Sequence, residues 1–246
     1  MSTVKAPKEK KNAAESIQKA INNAIQARNI HVQKDDHVSI SCGNGKLGHV
    51  ANVSLPPVIT CHNCKECSKY CYAIRNYLRM GYSTDNAWTK NYAIYLHDRK
   101  KYFAEINTAC YCVRFFRWHV SGDIVNKEYL HEMVKIANNN KHCEFLAFTK
   151  NYQAVNEYIT DSMDKIDEYP IPKNLHLLFS AAPNTEMNNE YQLPECHIAF
   201  EDSRKNTFKG CTGTVYHCTG NCEECIATGC GCFNLKNGDV TIINQH

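Results

Sequence analysis

No stretch of the sequence stays apolar for the roughly 20 residues that a bilayer-spanning helix needs, so a membrane span is excluded. The charged start, Met1 to Lys11, is followed by no apolar h-region, so a secretory signal is not expected. The chain is therefore expected in the cytoplasm, with no membrane partner. A marked excess of one charge is also missing. Lys and Arg number 28 against 25 Asp and Glu, and a net charge of +3 is too small to argue for nucleic acid by itself. What the sequence has in plenty is cysteine. Fifteen thiols in a reducing compartment do not read as a disulfide framework, and metal binding is the better use of them. At 246 residues, 43% of them apolar, the chain can bury a sizeable core as one soluble domain with appendages.

Four of the thiols, Cys61, Cys64, Cys67 and Cys71, fall in the run Cys-His-Asn-Cys-Lys-Glu-Cys-Ser-Lys-Tyr-Cys. The spacing C-x2-C-x2-C-x3-C is the one bacterial ferredoxins use for a 4Fe–4S cube, because short consecutive loops carry neighbouring thiolates to adjacent corners of a small inorganic core. A zinc site more often draws two ligands from one knuckle and two from a distant one, and remains the alternative. A second group, Cys211, Cys218, Cys222, Cys225, Cys230 and Cys232, lies in a segment with almost nothing apolar between the thiols. Such a segment is expected to fold around metal. Cys218, Cys222, Cys225, Cys230 and Cys232 read as ligands of a second 4Fe–4S cluster, with zinc on Cys222, Cys225, Cys230 and Cys232 as the alternative. Cys42 reads as a small buried hydrophobe.

Around these groups the pattern is α/β. Residues 1–30 read as a basic tail (Lys5, Lys8, Lys10, Lys11) followed by an amphipathic helix from Ala13 with Ile17, Ala20, Ile21, Ala24 and Ile25 inward. Two short strands, 37–41 and 49–53, flank a Gly43-Asn44-Gly45 turn and predict a hairpin. A helix over 72–80 and a longer one from a Ser83-Thr84-Asp85 cap to about Ile106 follow, the latter with Trp88, Tyr92, Tyr95, Tyr102, Phe103 and Ile106 inward. From Cys112 strands and helices alternate: strands at 112–120, 143–148, 175–179, 196–200 and 214–217, helices at 127–138 and 152–163. Alternation of this kind predicts a parallel sheet, here a partial β/α barrel of about six strands over 31–217, with 218–246 as a cysteine-rich cluster segment.

In parallel β/α folds ligands bind at the C-terminal ends of the strands. Polar residues collect there: Ser121-Gly122-Asp123, Thr149-Lys150, Ser180 and Glu201-Asp202-Ser203-Arg204. Strict strand alternation puts Arg117, His119 and Ser121 on one face and Phe116, Trp118 and Val120 on the other. Arg117, His119, Ser121, Asp123 and Lys150 are therefore the candidate catalytic residues, and Ser121, Gly122, Asp123 and Ser180 the candidate cofactor-binding ones.

The segments Asn44-Gly45-Lys46-Leu47-Gly48, Ser54-Leu55-Pro56, Thr60-Cys61, Cys67-x3-Cys71-Tyr72-Ala73, His119-x-Ser121-Gly122-Asp123 and Phe148-Thr149-Lys150 resemble the phage gene-product-eighty-eight family over about residues 40–232. The layout is similar to radical S-adenosylmethionine proteins, with Ser121-Gly122-Asp123 where those carry Gly-Gly-Glu, but no C-x3-C-x2-C trio stands near residue 61. The resemblance implies Cys61, Cys67 and Cys71 as shared thiols and Cys64 as an addition. Three ligands would leave an iron open to S-adenosylmethionine or substrate; four would favour electron transfer. The expectation is a redox enzyme, radical-SAM-like or a cluster-based reductase, with two 4Fe–4S clusters, acting on a small-molecule substrate with an electron donor. The alternatives are a non-catalytic electron-transfer, sensor or nucleic-acid-binding protein using Lys5 to Lys11, and a structural zinc protein.

Overall fold

The computed structural model describes residues 13–69, 71–79, 82–163, 170–181, 185–199 and 212–244. The basic tail, Glu201 to Arg204 and Cys211 lie outside the described residues.

Among the described residues eight strands form one sheet in the order β1-β2-β3-β4-β5-β6-β8-β7. They are β1 (Ile40–Ser41), β2 (Ala51–Val53), β3 (Phe115–Trp118), β4 (Glu144–Thr149), β5 (Leu175–Ala181), β6 (Glu195–Ala199), β7 (Val215–His217) and β8 (Val240–Asn244). Among the described strands only the β1–β2 pair is antiparallel, which is the expected hairpin. The other pairs are parallel, so the fold is mixed α/β with an open sheet whose outer strands are β1 and β7. The eighth strand was not expected. Val240 to Ile243 is a short apolar run behind the thiol-rich segment, and it enters the sheet between β6 and β7.

The helices are α1 (Ala13–Gln26), α2 (Cys64–Ser68), α3 (Tyr72–Arg79), α4 (Tyr82–His97), α5 (Arg99–Cys110), α6 (Lys127–Asn139), α7 (Tyr152–Met163) and α8 (Cys222–Ala227). On α1, Ala20 and Ala24 turn inward, but Ile25 is 43% exposed, against expectation. The single long helix expected up to Ile106 is two. The Asp98 side chain accepts the Lys101 N–H at 2.9 Å and starts α5 afresh, so the aromatic stripe is shared by two helices rather than running along one. Cys42 is exposed, not buried, because it follows β1 into the hairpin turn.

Both sheet faces are covered, as a parallel sheet requires. On one, Val53, Phe116, Trp118, Phe145, Leu177 and Phe179 pack with Tyr95, Tyr102, Phe103, Tyr129 and Ile159 from α4 to α7. On the other, Leu146, Leu178 and Cys196 pack with Phe233, Leu235, Cys222, Ile226 and Cys232. The apolar side chains Phe233 and Leu235, just past the thiols, are buried on this face. The two-sided cover follows from strand order. Crossovers of one hand lie on one face while the order advances from β2 to β6, and the connection from β7 back to β8 must lie on the other. That connection is the thiol-rich segment.

Candidate metal centre and strand-end site

The first thiol group enters through a strained loop. Val58 and Asn63 have φ of 72° and 48°, a left-handed backbone that costs a β-branched valine most. The loop is held from three sides. Thr60 Oγ1 donates to the Pro56 carbonyl at 2.6 Å, His62 Nε2 to the Val125 carbonyl at 2.9 Å, and Asn63 Nδ2 to the Lys150 carbonyl at 2.7 Å. Gly122 is what lets β3's exit pass this loop. A Cβ there would stand 2.8 Å from both Leu55 Cβ and Thr60 Oγ1, at a φ of 85°.

Asp123 is buried and anchors the site. One carboxylate oxygen accepts from the Thr149 hydroxyl at 2.6 Å and the Ile124 N–H at 2.7 Å, the other from the Lys150 N–H at 2.9 Å. Burial raises its pKa, and these hydrogen bonds oppose the rise. The Lys150 ammonium donates to Ser180 Oγ at 3.1 Å. Burial alone would lower its pKa, but the facing Cys67 and Asp123 outweigh burial and the net shift is upward. A hydrogen bond from Cys71, helped by Lys150, holds the Cys67 thiol down to about 6. The same contact, then burial, pushes Cys71 far up, while burial raises Cys61 and Cys64. The four thiols therefore lie within each other's field, with the half-buried Lys150 ammonium facing Cys67, Cys61 and Cys64.

The second group surrounds Arg117. Its guanidinium lies 4.7 Å from the centre of the Phe148 ring, and its charge acts on Cys222, Cys232 and Cys196. The Cys218 sulfur accepts the Gly220 N–H at 3.4 Å, Thr219 Oγ1 is 3.7 Å from Cys225 Sγ, and Thr228 Oγ1 is 2.9 Å from Cys230 Sγ. Gly231, at a φ of 75°, leaves room for Cys225, whose Cβ and Sγ a side chain there would strike at 2.9 Å. Burial raises Cys222, Cys225 and Cys232, and Cys232 far above the ordinary thiol value.

The candidate residues therefore separate. Asp123, Lys150 and Ser180 join the first thiol group, and Arg117 joins the second. His119 does neither. Its φ of 57° reverses the strand alternation just past β3, so its ring does not share Arg117's face but packs against Trp118 and Tyr129, with centroids at 6.0 and 5.2 Å. Ser121 is buried, its N–H donating to Ser54 Oγ at 3.3 Å, and its own hydroxyl finds no partner. Sequence reasoning missed Cys196 and Tyr72. Cys196 stands on β6 facing Cys218 and Cys232, and the Tyr72 hydroxyl donates to the Val120 carbonyl at β3's end. The signal for Tyr72 was its place next to Cys71; for Cys196 it was a cysteine inside a strand aimed at the thiol-rich crossover.

Among the described residues no three Cys, His, Asp or Glu side chains converge to hold a single metal ion. A 4Fe–4S cube asks for less convergence, since each thiolate takes a different corner. Half-buried thiols, an N–H donor to sulfur and a nearby ammonium are the surroundings such a cube tolerates. Two grooves, of about 930 Å³ between α5, α6 and α7 and about 700 Å³ lined by Asn63, Tyr152 and Glu186, hold none of the thiols. No described helix is long and apolar enough to cross a membrane. A family model described as gene product 88 matches residues 8–207. No curated protein and no solved structure matches the chain.

Proposed function

Starting from a chain that belongs to the gene product 88 family, we propose that it is an iron–sulfur redox enzyme with two 4Fe–4S clusters. Cys61, Cys64, Cys67 and Cys71 hold one; four of Cys218, Cys222, Cys225, Cys230 and Cys232 hold the other. The reading is supported by one observation: two sets of half-buried thiols, the first facing the Lys150 ammonium and the second the Arg117 guanidinium, lie in the loops of one mostly parallel sheet, where such folds bind ligands. When bound, the clusters supply one-electron transfer. The chain's own part is to shield them: Lys150 and Arg117 offset thiolate charge, Asp123 fixes the Lys150 backbone, and the aromatic and aliphatic side chains around Cys196 and Cys232 keep water out.

Metal analysis after anaerobic reconstitution, with EPR of the dithionite-reduced protein, tests this. About eight irons per chain with matching sulfide is the expected result. A colourless protein without iron overturns it. A second reading, zinc on Cys222, Cys225, Cys230 and Cys232, is favoured by the Gly231 turn against Cys225, and predicts about four irons and one zinc. The radical-SAM version holds if S-adenosylmethionine alters the cluster EPR and yields 5′-deoxyadenosine. It fails if neither occurs.

A further inference from the structure

The groove of about 700 Å³ opens past the C-terminal ends of β4 and β5, beside the loop that carries the first thiol group. Asn63 of that loop lines it, with one face of α7 and the segment that follows β5. On α7 the lining positions recur at i, i+3, i+4, i+7 and i+8 from Gln153 to Asp161, so a single polar helix face runs along the groove. Its charge has one sign. Among the described lining residues Glu157, Asp161, Glu186 and Glu190 are carboxylates, and none is Lys, Arg or His. Asp161 meets Lys127 at 2.6 Å. Glu157 and Glu190 accept from neutral amides, Gln153 at 2.7 Å and Asn188 at 2.6 Å. Among the described residues no cation forms an ion pair with either of them or with Glu186. Asn156, in the same lining, is only 5% exposed. Its Nδ2 donates to the Asn188 carbonyl at 3.0 Å, and its Oδ1 is buried without a partner.

A cleft lined by one sign of charge concentrates ions of the other. A single metal ion is a poor answer to this one, because no three described acids converge on a point. Carboxylates spread along a groove call for a cation whose charges are spread as well. An ammonium group carries three donors and no acceptor, so it can be shared between a carboxylate and an amide oxygen such as Asn156 Oδ1. Met187 and the Tyr152 ring, also in the lining, suit the methylenes between such groups, and the volume is that of a small-molecule site. We propose that this groove binds a small organic cation with two or more ammonium groups, a linear diamine or polyamine, with Glu157, Glu186 and Glu190 answering its charges and Asn156 accepting from one of them. The site goes beyond the cluster reading and stands whether or not metal is bound, although Asn63, held to the Lys150 carbonyl at 2.7 Å, sets the ligand against the first thiol loop.

Calorimetric titration of the full chain with spermidine, with putrescine and with magnesium chloride, before and after anaerobic reconstitution, tests the site. Saturable one-site binding of the amines is expected, spermidine the tighter, weakening as salt rises. Glu186→Gln, at an exposed position, should weaken it by about two- to fivefold, and Glu157→Gln added to it by about tenfold in all. Asn156→Leu should weaken it in the same sense. Because that change is buried, its circular dichroism is recorded, and if it unfolds the two glutamate variants decide alone. Glu132→Gln, in the groove between α5, α6 and α7, should leave binding unchanged. No saturable amine binding, equal binding in all variants, or displacement of spermidine by equimolar magnesium overturns the site. Amine binding by a chain that takes up no iron upholds the site and removes the cluster reading. A chain with its full iron that binds no amine does the reverse.

Discussion

His119 is an imidazole enclosed by Trp118 and Tyr129, with both ring nitrogens buried and unpartnered. Burial holds it down to about 3 from an ordinary 6.5. Between those values the unfolded chain binds a proton that the folded one refuses. Its contribution to stability is therefore complete above about pH 6.5 and is lost as pH falls toward about 3, an upper bound on the order of 4–5 kcal/mol. Thermal melts should show the midpoint dropping through this window. His119→Asn, which accepts the left-handed backbone, should flatten the drop and cost about 2 kcal/mol at about pH 8 through lost ring packing. Gly122→Ala meets Leu55 and Thr60 at a positive φ, so we expect a loss of about 2 kcal/mol in urea unfolding and less iron retained by the Cys61 loop. The position of His119 was not legible in the sequence. Alternation predicts its face correctly only while the strand continues, and β3 ends at Trp118. Asp123 and Lys150, by contrast, were legible because strand-end polarity survives such a reversal.

At the scale of elements, most strands and helices followed from periodicity, α7 with its expected bounds of 152–163. The break at Asp98 was hidden because the aromatic stripe continues in phase across it, from Tyr95 to Tyr102. Asp98→Ala should lower the unfolding midpoint by the equivalent of about 1 kcal/mol, the usual worth of an N-cap. Asp123 ties the exit of β3 to the end of β4 through the Lys150 N–H and the Thr149 hydroxyl. Asp123→Asn sets an amide N–H against one of those donors, and a cost of about 1–3 kcal/mol is expected in the same assay.

Over the whole molecule, the gathering of thiols was legible but their cover was not. Phe233, Leu235 and the run at β8 follow the last cysteine, Cys232, and are too few and too widely spaced to give a period, yet they complete the second core face. Limited proteolysis with and without a chelator should tell the two layers apart. If the proposed clusters are bound, cleavage is expected to appear between about residues 212 and 239 on metal removal while 115–163 stays protected, because on that reading the former layer draws its folding energy from metal. Equal protection in both states would mean that Phe233 and Leu235 suffice alone.

The place of β8 also bears on how the chain is made. It follows both β6 and β7 in the chain, yet it sits between them, and among the described strands it is what joins them in the sheet. A nascent chain must therefore wait with an unfilled slot in its sheet until β8 has been made, and on the cluster reading the thiol-bearing crossover stays open to incoming iron and sulfide until then. Biogenesis and metal loading would then be timed by a single late insertion.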